Sequence, residues 1–276
     1  YAHPKYNVEI PYVCEQDGEW AIRRADRERL LFEMREAGIS GFVEPSIGFD
    51  AIESQLSLVD SHSDCVWAAV GVHPTRCFKT AWKNRKKLEK YARNAHAVAI
   101  GETGLDYHHP RKEQHRIMQK RWFIYQLKLA DRMKLPLVLH IRKADKDALK
   151  IWNKYKTKLH GGVAHCFTGN SRIAEEYVKL GFAIGVGAKL FDGDGQDLRD
   201  AVACLPLTAL LVETDAPFVI PESAEELCKG NQLRKLCNSS FILPAIIRRI
   251  AEIRGEDENT VEEAIYQNTV RVYGLK

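Results

Sequence analysis

The chain has 276 residues, 45% hydrophobic and 28% charged, with a formal net charge of +4. These are ordinary values for a globular protein long enough to bury a substantial core, and the mild charge permits an anionic substrate without identifying one. Neither the acid-dotted first twenty residues nor any later segment offers an apolar run suited to a secretory signal or a bilayer span, so no membrane partner is expected.

Short apolar runs of strand type recur along the chain. A first strand is expected near residues 1–6, then a helix starting near Asp17 with the stripe Leu30, Leu31, Met34 and Ala37, closed by Gly38. GFVEPSI (41–47) and VWAAVGVHP (66–74) follow as strands. KTAWKNRKKLEKYAR (79–93) reads as the solvated basic face of a helix, with a nucleic-acid contact as the alternative. AVAIGETGLD (97–106) is a strand, Met118, Trp122, Tyr125 and Leu129 stripe a helix, and LPLVLHI (135–141) and GGVAHCF (161–167) are strands. Ile173, Ala174, Tyr177 and Val178 mark a helix ended by Gly181, before the strands FAIGVGA (182–188) and ALLVETDAP (209–217). Helices around 241–254 and 258–270 close the chain.

The strand runs are almost continuously apolar rather than alternating, as expected of parallel strands covered on both faces. Alternation with helices predicts a (β/α)8 TIM barrel, an α/β fold in a single domain over residues 1–276. A doubly wound open sheet is the competitor, but no Gly-rich phosphate fingerprint follows an early strand, and Gly185-Val-Gly187 alone carries little weight. Seven cysteines, an odd number without a C-x-x-C pair, point to a reduced, cytoplasmic protein. Cys65, Cys166 and Cys204 have apolar neighbours in sequence, where a free thiol behaves as a small hydrophobe.

In such a barrel the reacting groups sit at the carboxyl ends of the strands. The runs end in His73, in Glu102 and Asp106, in His140 followed by Arg142, in His165, and in Glu213-Thr214-Asp215. Each alone has a bland explanation: a hydrogen-bonded histidine, a paired glutamate, an aspartate capping a turn. Together, two histidines (His140, His165) and two carboxylates (Glu102, Asp215) in an apolar barrel need a positive partner, and a divalent cation supplies one. Such an ion lowers the pKa of water and polarises a scissile ester or amide, and Asp215 could touch metal and act as general base. Arg142 has the planar fork that suits a phosphate, a surface ion pair being the alternative; His73 is a second anion contact.

The segments VGVHP, AIGETGLDYH, LPLVLHIRKA, GVAHCFTG and LLVETDAPF resemble, in order and spacing, the signatures of the TatD-like metal-dependent deoxyribonucleases of the amidohydrolase superfamily. The match runs from about residue 26 to the C-terminus. The resemblance implies a DNA substrate and one or two divalent ions (Mg, Mn or Zn); no obligate protein partner is evident in the sequence. It implies Glu102 as a bridging carboxylate, His140 and His165 as inner ligands, and Asp215 as ligand and base. It implies His73, Arg142, Thr168 and Gly169 as phosphate contacts, with Asp106 and Glu213 orienting the ligands.

Two departures stand out. The family's Asn-Glu-Pro element reads here as Asn238-Ser239-Ser240, and its opening D-x-H-x-H reads Y-A-H-P-K. His3 is expected to align with the first histidine of that motif as a metal ligand. Lys5 replaces the second, as a charge substitute beside Glu102 and Asp215. The leading expectation is a metal-dependent deoxyribonuclease. An amidohydrolase or lactonase of the same superfamily, and a nucleic-acid-binding pseudoenzyme with a degraded site, are the alternatives.

Overall fold

The computed structural model of the protein describes residues 1–108, 113–155, 160–227 and 235–275. The expected first strand is instead a single 3₁₀ turn, Pro4–Asn7. Proline presets its first position, and His3 caps it, Nδ1 accepting the Lys5 N–H at 3.1 Å. Strands β1 (Ile10–Gln16) and β2 (Glu19–Ala25) then form an antiparallel hairpin. Its turn residues Asp17 and Gly18 have φ of +54° and +87°. A two-residue hairpin turn needs left-handed residues, and Asp-Gly supplies them. The helix expected from about Asp17 therefore begins only at α1 (Arg27–Glu36), where the Asp26 side chain accepts the Arg29 N–H at 3.1 Å.

Beyond Gly38, all seven apolar runs form strands. The order is β3 (Phe42–Pro45), α2 (Ile52–Ser61), β4 (Val66–Ala69), α3 (Arg85–Tyr91), β5 (Ala97–Asp106), α4 (Glu113–Met133) and β6 (Leu137–Arg142). It continues with α5 (Asp145–Tyr155), β7 (Gly162–His165), α6 (Ser171–Lys179), β8 (Phe182–Val186), α7 (Gln196–Cys204) and β9 (Leu210–Val212). A short α8 (Glu222–Glu225) precedes α9 (Leu243–Arg254) and α10 (Glu258–Tyr273). No cysteine among the described residues is in a disulfide; Cys65 is buried as expected, whereas Cys204, at the end of α7, is exposed.

The chain gathers into two compact units. One comprises Phe42–His165, Tyr177–Ala183 and Thr269–Lys276. In it β3 to β7 pair in parallel, each with the next in chain order. The amphipathic α4 buries Trp122, Phe123, Leu127 and Leu129, and it packs against β5. The β4–β5–β6 backbones approach so closely that a Cβ at Gly71 would lie 2.6 Å from the Gly101 carbonyl carbon, and one at Gly101 2.5 Å from Val138 Cβ. Only glycine fits at either place, and Gly101 immediately precedes Glu102.

The other unit comprises Tyr1–Gly41, Cys166–Glu176 and Ile184–Asn268. Its core includes Tyr6, Tyr12, Leu30, Met34, Ile246 and Ile250, all nearly or fully inaccessible. The β1 strand is tied to the C-terminal third: Val13 N–H donates to Cys237 O at 2.9 Å, and Cys237 N–H to Pro11 O at 3.0 Å. Residues 184–186 of β8 pair in parallel with β9.

Candidate metal centre

Parallel register sets the site in the Phe42–His165 unit. Gly104 lies across from His140, Asp106 across from Arg142, and His140 across from His165. Cross-strand partners share a face, so the two histidines project to the same side. His73, just beyond β4, caps the 3₁₀ turn Pro74–Arg76.

Glu102, 5% exposed, lies at the centre. Its Oε1 is 3.3 Å from His165 Nε2. Its Oε2 is 3.3 Å from His73 Nε2 and 3.9 Å from His140 Nδ1. The His73 and His140 rings meet edge to face, with centroids 4.3 Å apart. His140 Nε2 stands 3.4 Å from Asp106 Oδ2, yet it is a buried nitrogen that makes no hydrogen bond. His73, Glu102 and His140 each offer a ligand atom within 4.8 Å of the others'. Buried carboxylates among imidazoles, with one ring nitrogen unused, fit a divalent cation, which would satisfy both.

His73 behaves differently from the other two rings. Its Nδ1 accepts the Thr75 N–H at 3.2 Å and lies 2.6 Å from Thr75 Oγ1. Two donors on Nδ1 leave the ring proton on Nε2, facing Glu102. Burial, reinforced by the charge of His140, lowers its pKa to about 2, so the ring is neutral at ordinary pH. His73 thus presents an N–H, suited to a carboxylate or a phosphate oxygen. Arg142 ends β6, is exposed, and makes no ion pair among the described residues, so its expected alternative as a surface ion pair is not realised there.

Sequence reasoning missed the groups that hold these strand ends. Gln126, fully buried on α4, accepts the Val72 N–H at 2.7 Å and donates to Val72 O at 3.1 Å and Thr103 Oγ1 at 2.7 Å. Two turns earlier, Gln119 clamps the backbone of Asp106 through bonds of 3.0 and 2.9 Å. Ser46 Oγ donates to Gly71 O at 2.9 Å and accepts the Gly71 N–H at 2.7 Å. The available signal was a pair of glutamines seven apart, a helical near-repeat, on the apolar side of α4. Gln126→Leu leaves the buried Val72 peptide unpartnered, so a loss of about 1–3 kcal/mol is expected, read as a lower urea midpoint at unchanged m-value.

The other unit carries the remaining candidates. Asp215 follows β9 at φ +54°. Its loop is held by Asn238, 0% exposed, whose amide donates to Thr214 O at 2.6 Å and Val219 O at 2.9 Å. Glu213 accepts the Cys166 N–H, bracing the turn that presents exposed Thr168 and half-buried Gly169. A Cβ at Gly185 would lie 2.5 Å from Glu213 Oε2, so glycine makes room for that carboxylate. Asp215 and Glu213 line one small cleft with Cys166, Phe167 and Lys189.

The N-terminal residues have other duties. His3 is a turn cap whose ring stands edge-on to Phe218, centroids 5.4 Å apart. No group of potential ligands found among the described residues contains it. Lys5 places its ammonium 5.2 Å from the Phe218 ring centre, a cation–π contact. Ser239 and Ser240, where the family has Glu-Pro, serve the packing of this end: Ser239 Oγ donates to Val13 O at 2.6 Å, and Tyr1 OH to Ser240 Oγ at 3.0 Å.

Known proteins resemble this chain along most of its length. A family model described as TatD related DNase matches residues 17–274. The 3′-5′ ssDNA/RNA exonuclease TatD of Erwinia tasmaniensis is 33% identical over 253 residues, 91% of this chain and 94% of that protein. The protein of the same name from a Rahnella species is 32% identical, covering 91% and 93%. Among solved structures, a TatD homologue from Escherichia coli K12 superposes with a TM-score of 0.79 at 27% identity, over 90% of this chain and 92% of that one. A TatD-family hydrolase from Entamoeba histolytica reaches 0.77 at 20% identity over 90% and 89%, a likeness of fold alone. The fold class is the expected (β/α)8 type.

Proposed function

Because the chain belongs to the TatD related DNase family, we propose that it hydrolyses phosphodiester bonds of single-stranded nucleic acid with a divalent ion. The observation that carries the reading is Glu102, whose two oxygens face separate imidazoles while His140 keeps an unused buried nitrogen. In this proposal Glu102, His140, His165 and Asp215 hold one or two ions. Mixed imidazole and carboxylate donors suit zinc or manganese, and magnesium if carboxylates dominate. An ion bound there supplies Lewis acidity and lowers the pKa of water.

The chain's own groups do the rest. Asp215 takes the proton of the attacking water on its carboxylate. The Nε2–H of His73 and the guanidinium of Arg142 hold non-bridging phosphate oxygens, with Thr168 and Gly169 as further contacts. Asp106 orients His140 by its charge, 3.4 Å from Nε2, rather than by a hydrogen bond, and Glu213 orients the 166–169 turn. His3 stays a cap in this scheme.

No helix among the described residues is long and apolar enough to cross a membrane. The test is a substrate panel on chelator-treated protein, with Mg²⁺, Mn²⁺ or Zn²⁺ added back. Metal-restored breakdown of single-stranded DNA or RNA is the expected result. Turnover of lactones or small amides with no phosphodiester cleavage would overturn the proposal in favour of another amidohydrolase chemistry.

A further inference from the structure

The 74–80 turn carries features for which the metal centre has no use. Outward from His73, Arg76 is exposed, and its backbone N–H donates to His73 O at 2.9 Å. The turn is held in place: Cys77 is buried with Sγ 3.5 Å from His73 O, and Lys79 and Thr80 N–H donate to Arg76 O at 3.0 and 3.1 Å. Phe78 nonetheless stays 49% exposed, its ring stacked nearly parallel (14°) on His115 at a centroid distance of 4.5 Å.

His115 lies one helical turn before Gln119, the residue clamped to Asp106. Its neighbour Arg116 places its guanidinium 4.6 Å from the centre of the Tyr107 ring. The stacked pair is thus anchored to the ends of β4 and β5, the two strands that lead into His73 and Glu102. The charges differ from those on the nearby helix faces. Lys87, Arg93 and Arg132 are paired with Glu53 or Glu89. Arg76, Lys79 and Arg116 make no ion pair among the described residues.

An exposed phenylalanine alone needs no explanation. A parallel aromatic pair on a hydrogen-bonded turn, with the Lys79 ammonium 5.8 Å from the Phe78 ring centre and two arginines without ion pairs among the described residues, beside a phosphodiesterase-type centre, matches what an unpaired nucleotide requires: aromatic surface for the base and positive charge for its phosphates. We propose that Phe78 and His115 form a base-stacking platform for the nucleotide next to the scissile phosphate, with Arg76 and Arg116 holding flanking phosphates. The inference rests on the nuclease reading above and adds the residues that favour unpaired ends. A duplex end must first unstack and unpair a base before it can use the platform.

Steady-state kinetics of Phe78→Ala and Phe78→Trp on a single-stranded oligodeoxynucleotide, with bis(4-nitrophenyl) phosphate as a small diester, test this. In Phe78→Ala the ratio of oligonucleotide to small-diester kcat/KM is expected to fall at least about five-fold, through KM, and Phe78→Trp is expected to restore it. An unchanged ratio in Phe78→Ala, or an equal loss on both substrates, overturns the platform while leaving the nuclease reading standing. If the wild type hydrolyses the small diester but no oligonucleotide, the nuclease reading fails and the platform with it.

Discussion

Glu102→Gln is expected to empty the centre and lower turnover about 10³-fold or more. Glutamine keeps the shape of the side chain but presents one neutral oxygen where two charged ones now face His73, His140 and His165. The fold should survive the change. Removing a buried charge spares its desolvation cost, so the metal-free melting temperature is expected to hold or rise. Elemental analysis of purified variant and wild type checks the first half of this, and calorimetry without metal the second. A variant with full metal content and wild-type kcat would show that Glu102 is not the carboxylate on which the centre depends.

Asp215→Asn is the second large effect, with a different signature. A general base contributes about 10²–10⁴-fold, and asparagine cannot accept the proton. Asparagine is also the substitution that the backbone tolerates, since φ at this position is +54° and Asn visits that region readily. The loop is held by Asn238 through the carbonyls of Thr214 and Val219, which the substitution does not touch. The variant should therefore fold normally and keep its tightest metal while losing most of its turnover. Single-turnover rates alongside metal titration separate this outcome from ligand loss; undiminished single-turnover rates would take the base role away from Asp215. Alanine would be a poorer probe, because strain at positive φ would be added to the chemistry.

The strands were legible because continuous apolar runs of four to eight residues have few other uses in a chain of this length. His73, Glu102, His140 and His165 were legible for the same reason: each interrupts or ends such a run, and polar groups there need a purpose. The N-terminal misreading has an equally physical source. A helix start near Asp17 overlooks that Asp-Gly between two strand-like stretches is the stronger signal for a hairpin turn. The buried glutamines were hidden because a polar residue on a helix defaults to the solvent side. Only the structure shows that Gln119 and Gln126 bond the backbones of Asp106 and Val72 near the ends of β5 and β4. Asn238 was noticed as a remnant of a family motif, but nothing in the sequence shows that its amide spans two carbonyls of the Asp215 loop.

The linkage of the first hairpin to the last third of the chain has a consequence in time. Tyr1 meets Ser240 across 239 positions of sequence, and Tyr6 OH donates to the Asn238 carbonyl across 232. At about 5–20 residues per second, a ribosome takes roughly 10–50 s to make the partners that this end awaits. Tyr6, Tyr12 and Val13, all buried in the finished protein, are without those partners for that whole interval. The Phe42–His165 stretch can assemble its parallel strands as it emerges, because each pairs with the next in order. The nascent chain therefore exposes these apolar residues to chaperones or to aggregation until Cys237–Ser240 are made, and the Asp215 loop, which Asn238 holds, is set only then.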